Sequence, residues 1–328
     1  NGLYKEVYSD EGLQELVPEA STLQKIIEFK DGVEMLGSTY VVPVVLSLEQ
    51  GITFGGADGT AFDLNPPVSM NIVDARVDGD DHVLRSAISY GAAARAIKNG
   101  PASFANSTSE IMKSAIESMS RVIEIELLYG QAATGLGSIA TINSVNATTL
   151  TLNFASGQWA SGIWSGAKNL KLDLMDASNS TVVNTNAALV VSSVSFPNKS
   201  ITVTGNSTDI SAIVTLYGAM GLGFVTWFSS YTKQFIGMNK IFNNASGSLF
   251  NISAASYELW ASNQYAVGGN LTLDVIGDGL ALAQAWGLDT DVDLLVSPIT
   301  WKYLNRSAVS RKRLVDGYGS EKSEFGSK

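Results

Sequence analysis

Histidine and closely spaced carboxylates are the side chains of this 328-residue chain that could perform acid–base or metal chemistry. His82 is the sole histidine, and it follows the acidic run Asp78–Asp81. A single histidine cannot form a His-pair metal site, so acid–base catalysis would depend on carboxylates. We therefore predict that His82 is a solvated loop residue.

Alternating aspartates form the second candidate for chemistry. Asp289, Asp291 and Asp293 have the spacing that opens a calcium-binding loop. An EF-hand then needs Gly at its sixth position and Glu at its twelfth. The chain has Leu294 and Thr300 there. We predict a loop before a strand, and a non-EF ion site stays open.

Other catalytic motifs are missing from the sequence. The chain has no cysteine, which excludes disulfides, thiolate metal sites and cysteine nucleophiles. The glycine-rich residues 218–223 match neither a dinucleotide-binding nor a phosphate-binding loop. No nucleophile–base pair can be assembled, so we predict a protein that is not an enzyme, without cofactor or metal.

The charge balance favours a surface that meets other proteins. Net charge is −10, with 16% charged and 45% hydrophobic residues. An acidic chain gains nothing from counterion release on a phosphate backbone, so sequence-specific nucleic-acid binding is not expected. The one basic triplet, Arg311–Arg313 with Lys312 at its centre, suits two roles. It is either a solvated helix end that complements the helix dipole or a contact with an acidic neighbouring subunit.

One uncharged stretch has the length of a membrane span. Residues 210–232 carry no charge, and a bilayer requires about 20 apolar residues. Gly218, Gly221 and Gly223 interrupt the stretch, and no basic cluster flanks it. We predict a buried strand followed by a glycine-rich connection, and no membrane contact.

An apolar ribbon is expected to form much of the surface that meets other proteins. Residues 40–54 and 68–81 read as two strands, joined by the turn-rich residues 55–67. An isolated two-stranded hairpin is marginal in water, so the ribbon must be covered by a partner surface, such as another copy of the chain. The predicted contacts are Leu48, Phe54, Phe62, Arg76 and the basic residues Arg311, Lys312 and Arg313.

A long helix is predicted after the ribbon. A shorter helical piece is expected over 86–100, and the main helix is expected to begin at a capping box formed by Ser107 and Glu110. Gly130 supplies the stop. Apolar residues at helical spacing predict one buried face, made of Ile111, Met112, Ala115, Ile116, Met119, Val122 and Ile123.

Composition changes after the long helix. Residues 131–217 are rich in Ser, Thr and Asn, with period-two runs at 149–154, 169–174, 189–194, 200–205 and 212–217. Such runs predict a small β-barrel or sandwich. In the last third, helices at 271–287 and 299–314 are expected to flank a buried strand at 293–298, which indicates an α/β region.

The order of these elements resembles that of a tailed-bacteriophage major capsid protein. The matching segments are 36–54, 107–129, 233–250 and 271–298. The resemblance implies an α+β phage major capsid fold with an inserted small β-barrel or sandwich domain. Its parts would be an N-terminal arm (1–39), an extended two-stranded loop (40–85), a peripheral domain with a spine helix (86–130), the inserted β domain (131–217) and an α/β axial domain (218–328).

The resemblance also implies a function. The chain would assemble into hexamers and pentamers of an icosahedral shell around double-stranded DNA, packaged without sequence-specific binding. Scaffold, portal and decoration proteins would be its other partners. It would assemble in the host cytoplasm and reside in the virion capsid.

Two departures from the family and two rival functions stand beside this expectation. No lysine occurs between Lys30 and Lys98, so an isopeptide cross-link cannot start from the extended loop. The family's C-terminal peripheral strands are expected to lie outside residues 1–328.

One rival function is that of an encapsulin-like nanocompartment shell protein. The other is a secreted β-rich binding or adhesion protein, which predicts a stable monomer with exposed carbohydrate-binding aromatics such as Trp159 and Trp164.

Overall fold

A computed structural model describes residues 22–27, 35–36, 39–57, 59, 61–79, 81–87, 101–178 and 181–316. The chain is a mixed α+β protein, as the sequence predicts. It divides into two compact units. The first comprises residues 1–241 with 250–252, and the second comprises 242–249 with 253–328.

The helices and strands fall into three groups along the chain. The first group consists of α1 (Thr22–Ile26), β1 (Met35–Leu36), β2 (Thr39–Ser47), β3 (Asn71–Asp78) and α2 (Pro101–Tyr129). The next are β4 (Ile139–Asn146), β5 (Thr149–Phe154), α3 (Ser161–Trp164), β6 (Lys171–Asp176), β7 (Leu189–Ser195), β8 (Ser200–Thr204), α4 (Ser207–Met220) and β9 (Leu222–Trp227). The last are α5 (Met238–Phe242), β10 (Ser248–Leu249), β11 (Ile252–Ser253), a 3₁₀ turn (Glu258–Trp260), α6 (Leu273–Ala285) and α7 (Pro298–Asp316).

Six strands form one antiparallel sheet in the order β4-β5-β8-β7-β6-β9. The sheet curls until its edge strands meet, with a bridge between Ser138 and Phe224. Leu136 N–H donates to the Val225 carbonyl at 2.9 Å, and Val225 N–H donates to the Gly137 carbonyl at 3.2 Å. The sheet encloses a core of fully buried side chains, which includes Leu150, Leu152, Leu172, Leu174, Leu189, Val191, Ile201 and Val203. The period-two pattern thus marks strands whose inward faces cover one another.

The predicted strand at 212–217 is wrong, because these residues lie in α4. Asn206 caps the helix by accepting the Thr208 N–H at 2.9 Å, and Gly221 ends it at a φ of 80°. Short apolar runs do not distinguish a strand from a buried helix, and here the caps decide. The strand of the uncharged stretch is β9, on the far side of Gly221. No helix in the described residues is long and apolar enough to cross a membrane.

The long helix exists, but its start and its buried face differ from the prediction. It begins at Pro101 rather than at Ser107, which suits proline's preference for the first helical turn. Met112 and Ile116 are 64% and 70% exposed. Among residues 111–129, whose side chains the structure describes, the buried ones are Glu124, Ile125 and Glu126, near the C-terminal end.

The helices of the second unit are confirmed, whereas its predicted strand is not. Helices α6 and α7 cover the two predicted segments. Residues 286–297 between them have no helix or strand, and Leu294 is exposed. An apolar run becomes a strand only where a neighbouring strand can satisfy its backbone groups, and the described residues provide none here.

Some predictions fall outside the described residues. Most of the N-terminal arm predicted over 1–39 is one of these, since residues 1–21, 28–34 and 37–38 are not described. Residues 88–100 of the expected shorter helix are not described either.

Candidate assembly surface

Strands β2 and β3 form the predicted ribbon. They pair antiparallel from Thr39 opposite Asp78 to Val45 opposite Ile72, with a register shift before Ser47. Thr39 Oγ1 donates to Asp78 Oδ1 at 2.8 Å. The ribbon strands are shorter than predicted, because continuous pairing ends at Ser47 opposite Asn71 and only an isolated bridge between Gln50 and Val68 follows.

The tip of the ribbon, residues 48–70, is ordered by local contacts. Gln50 and Val68 exchange two backbone hydrogen bonds of 2.9 Å. Asn65 donates from Nδ2 to the Ile52 carbonyl at 2.9 Å. A Cβ at Gly55 would lie 2.4 Å from the Phe62 ring, so glycine lets the ring pack on the backbone. These contacts shape the tip without a core beneath it.

The ribbon exposes most of its apolar side chains. Leu48 is 72% exposed, Phe54 88% and Phe62 53%. Other exposed apolar residues of strands and tip are Val42, Val45, Ile52, Leu64, Val68, Met70, Ile72 and Val77. Leu46 and Ala75 are its buried hydrophobic residues. Monomeric proteins rarely expose apolar patches of more than a few hundred Å², and larger ones mark interaction sites.

The predicted contact residues fall into two groups. Leu48, Phe54 and Phe62 are exposed residues of the tip, and Arg76 is an exposed residue of β3 whose backbone N–H donates to the Phe250 carbonyl at 3.0 Å. The basic triplet Arg311, Lys312 and Arg313 belongs to α7, and its side chains are outside the described part of the chain. That these residues contact another subunit stays a prediction.

A groove of about 1280 Å³ lies alongside the ribbon within the first unit. One wall is ribbon backbone and side chain, including Tyr40, Pro43 and Arg76. Phe235, Phe250 and Asn251 are among the residues of the other wall. The ribbon therefore borders an open space on the side that faces Phe235 and Phe250.

His82 is not the solvated residue that the sequence predicts. Its Nε2 lies 3.1 Å from Oε2 of Glu126, whose side chain is 3% exposed. The imidazole also contacts the Phe235 ring edge-on, with centroids 5.9 Å apart. The acidic run before His82 led to the prediction of a solvated loop, but the imidazole lies against the buried carboxylate of Glu126 on α2. This pair fixes the chain that leaves the ribbon to the helix.

Two more charged residues of α2 anchor its neighbours. Glu124 accepts the backbone N–H groups of Leu23 at 2.6 Å and Gln24 at 3.1 Å, which places a carboxylate at the start of α1. Arg121 donates through Nη2 to the carbonyls of Gly162 at 2.8 Å and Ile163 at 3.3 Å, and also to that of Ser165. Burial lowers the pKa of the Arg121 guanidinium.

These anchors were missed in the sequence, although a signal for the glutamates was present. Glu124 and Glu126 interrupt the apolar run at the end of α2. Charged residues at such positions are almost never fully buried unless they are paired. Their partners lie far away in the sequence and could not be inferred from spacing.

The end of α2 approaches the segment around Gly237 so closely that both Gly130 and Gly237 must be glycine. A Cβ at Gly130 would lie 2.2 Å from the Phe235 carbonyl oxygen, and one at Gly237 would lie 2.4 Å from that of Glu126. The Gly237 N–H donates to the Gly130 carbonyl at 2.9 Å. Gly130 is thus a packing residue as well as the predicted helix stop.

The tryptophans named for carbohydrate binding are not exposed. Trp164 is fully buried, and Trp159 is half-buried against Phe154, Trp164 and Phe196. A sugar platform requires an accessible ring face, so the feature that the adhesion alternative predicts is absent at these two residues. Trp164 instead belongs to the sheet core, and Trp159 packs against it.

The aspartates Asp289, Asp291 and Asp293 are exposed in the segment before α7. Within the described residues, no group of three or more histidines, cysteines or carboxylates is arranged to hold a metal ion.

Comparisons of the chain with protein-family models, with curated proteins and with solved structures find no match.

Proposed function

We propose that this chain is a structural shell protein that assembles into hexamers and pentamers of an icosahedral capsid enclosing double-stranded DNA. The observation that carries the proposal is the ribbon, whose tip exposes Leu48, Phe54 and Phe62 on a framework with few buried residues. Keeping such side chains in water is unfavourable by about 25 cal/mol for each Å² of apolar surface. A neighbouring copy would cover them.

The proposed contact is heterologous. The apolar tip of one subunit would lie on a different part of the next copy, which would cover Leu48, Phe54 and Phe62. Head-to-tail contacts of this kind close into rings when the rotation fits, and rings are the capsomers of a shell. The long α2, fixed to α1 by Glu124 and to the sheet region by Arg121, would be the rigid part of each wedge.

The charge balance suits a shell that encloses its genome without binding the DNA tightly. With a net charge of −10, the subunit offers no general electrostatic attraction to DNA. Packaged DNA would then slide during entry. Tight binding of DNA by the inner surface of assembled shells at moderate salt would contradict this part of the proposal.

Electron microscopy of the purified protein tests the proposal directly. We expect uniform closed shells in negative stain and a fast-sedimenting species in analytical ultracentrifugation. Dispersed monomers under all assembly conditions would contradict a shell function. Particles from the producing cell that hold protein cargo instead of DNA would contradict the genome-enclosing part.

Deletion of residues 55–67 tests the role of the ribbon tip. We expect a folded subunit, with an unchanged circular dichroism spectrum, that fails to form shells. A matched control is V145S combined with F228S, since both side chains are exposed and apolar but lie outside the ribbon. Normal assembly of the deletion variant, or equal loss in the control, would contradict a specific role of the ribbon.

A further inference from the structure

The second unit separates its charges along the sequence. Residues 253–301 contain six acidic residues and no Lys, Arg or His. Residues 302–313 contain five basic residues and no acidic one. A negatively charged stretch therefore precedes a positively charged helix, α7, within the same unit.

One exposed face of α7 combines apolar and basic side chains. Residues three and four positions apart lie on the same side of a helix. Four exposed residues of α7 have this spacing, and we call them the α7 face: Ile299, Lys302, Tyr303 and Arg306. Among residues 298–308, whose side chains the structure describes, Leu304 is the buried one. The α7 face is therefore a surface on which a partner could lie.

The segment between α6 and α7 has the opposite charge and is also apolar. Residues 286–296 contain three exposed aspartates and four exposed apolar residues, which are Asp289, Asp291, Asp293, Trp286, Val292, Leu294 and Leu295. Within the described part of the chain, residues 289–296 make no hydrogen bond. Polar contacts therefore do not hold this segment to its own unit.

The opposite charges of these two surfaces do not meet within the described chain. The ion pairs found among the described residues are those of His82 with Glu126 and of Lys113 with Glu117. Lys302 and Arg306 form none there, and neither do the three aspartates of the 286–296 segment. Complementary charge steers association and fixes the register of a contact. A second copy of the chain presents the charge and the apolar side chains that each surface needs.

We propose that the α7 face binds the 286–296 segment of a second copy of this chain. Lys302 and Arg306 would attract the aspartates of that segment, and Ile299 and Tyr303 would cover its apolar side chains. Each copy carries both surfaces, so such contacts can continue head-to-tail around a ring. The inference rests on the proposed function, since it names a second contact between neighbouring subunits besides that of the ribbon tip.

Cross-linking of the full chain with a carbodiimide tests the contact. The reagent condenses a carboxylate with an adjacent lysine amine to an amide and takes up the water as a urea. Equal amounts of unlabelled and heavy-nitrogen-labelled protein are mixed as dissociated subunits before assembly. Peptide mass spectrometry then shows whether the two halves of a cross-link come from one copy or from two. Lys113 and Glu117, 3.5 Å apart on α2, provide the internal control for a cross-link within one copy.

We expect cross-links from Lys302 to the aspartates of the 286–296 segment in which light and heavy peptides are mixed. The control cross-link between Lys113 and Glu117 should be unmixed. Unmixed Lys302 cross-links would assign the contact to a single copy and overturn the proposal. Absence of these cross-links, with the control cross-link present, would also overturn it.

Reversal of one charge measures the electrostatic part of the contact. Variant R306E keeps Lys302 reactive and should lower the yield of its mixed cross-links about two- to fivefold, the effect of an exposed ion pair. The control K171E reverses an exposed lysine of β6 in the first unit and should leave the yield unchanged. An unchanged yield in R306E, or an equal loss in K171E, would overturn the proposal.

Electron microscopy of the same samples separates this contact from the shell function. Closed shells without mixed Lys302 cross-links would overturn the α7 contact and leave the proposed function standing. Mixed cross-links in particles that never close into shells would support the α7 contact and contradict the shell function.

Discussion

The curled sheet and the ribbon have the same kind of sequence but different environments. Both are antiparallel, and both are rich in apolar residues. In the sheet, Leu150 and Leu152 are fully buried, because six strands curl over their own inner face. In the ribbon, β2 and β3 have only the two-residue β1 beside them among the described strands, and Phe54 at the tip is exposed.

This difference shows that strand pairing alone does not bury a side chain. Pairing satisfies the backbone, whereas burial needs a second layer or a closed sheet. The sheet region supplies its own second layer and the ribbon does not. This is the basis for proposing that the sheet region stabilises the subunit and that the ribbon serves assembly.

The largest expected effect is in the core of the sheet. Replacement L152A removes a fully buried side chain of β5 and should lower the free energy of unfolding by about 2–5 kcal/mol. Urea denaturation followed by circular dichroism measures it. The control is V145A on β4, an exposed position of the same sheet, which should change stability by less than about 0.5 kcal/mol. Equal effects at the two positions would break the comparison.

A smaller effect is expected where α2 joins the sheet region. Replacement R121M leaves the carbonyls of Gly162, Ile163 and Ser165 without their donor and should cost about 1–3 kcal/mol. The control on the same helix is K113M, which removes an exposed pair with Glu117 worth about 0.3–0.5 kcal/mol. If R121M unfolded no more easily than K113M, the helix would not be anchored through Arg121.

The ribbon should contribute little to the stability of the isolated subunit. The triple variant L48S, F54S, F62S should change its free energy of unfolding by less than about 0.5 kcal/mol per site, since these side chains are already exposed. The same variant should abolish shells in negative stain. A stability loss as large as that of L152A would mean that the tip packs against its own subunit and would overturn the division of roles.

The smallest effect should appear only in alkali. Partial burial raises the pKa of the Tyr129 phenol above its usual 10.0. Above pH 10 the unfolded chain then loses a proton that the folded chain keeps, so stability falls as pH rises. Replacement Y129F should remove this part of the decline and leave the urea midpoint at pH 7 nearly unchanged. Parallel curves for both proteins above pH 10 would contradict it.

Local sequence predicted the elements that depend on local patterns. The ribbon strands, the long helix, α6, α7 and most strands of the curled sheet follow from apolar periodicity and turn residues. Prediction from local sequence failed where a short apolar run is compatible with either a strand or a helix. At 212–217 the cap at Asn206 stabilises a helix. Prediction also failed at Met112 and Ile116, because periodicity indicates an apolar face but not whether anything covers it.

The candidate surface was partly predictable for the same reason. The exposed positions of Leu48, Phe54 and Phe62 followed from a hairpin with too few attached residues to form a core. The partners of His82, Arg121, Glu124 and Lys240 could not be predicted, since each contacts residues far away in the sequence. Lys240, for example, donates to Gln131, which lies 109 positions earlier in the chain.

The order of residues was enough to establish where most helices and strands form, that the ribbon is apolar, and that no cysteine chemistry is available. Folding in three dimensions was needed to establish which apolar faces are covered, that the sheet closes at Ser138 and Phe224, and that His82 meets Glu126. The physical reason is that periodicity reflects the backbone geometry of neighbouring residues. Burial and charge pairing depend instead on segments that only the folded chain brings together.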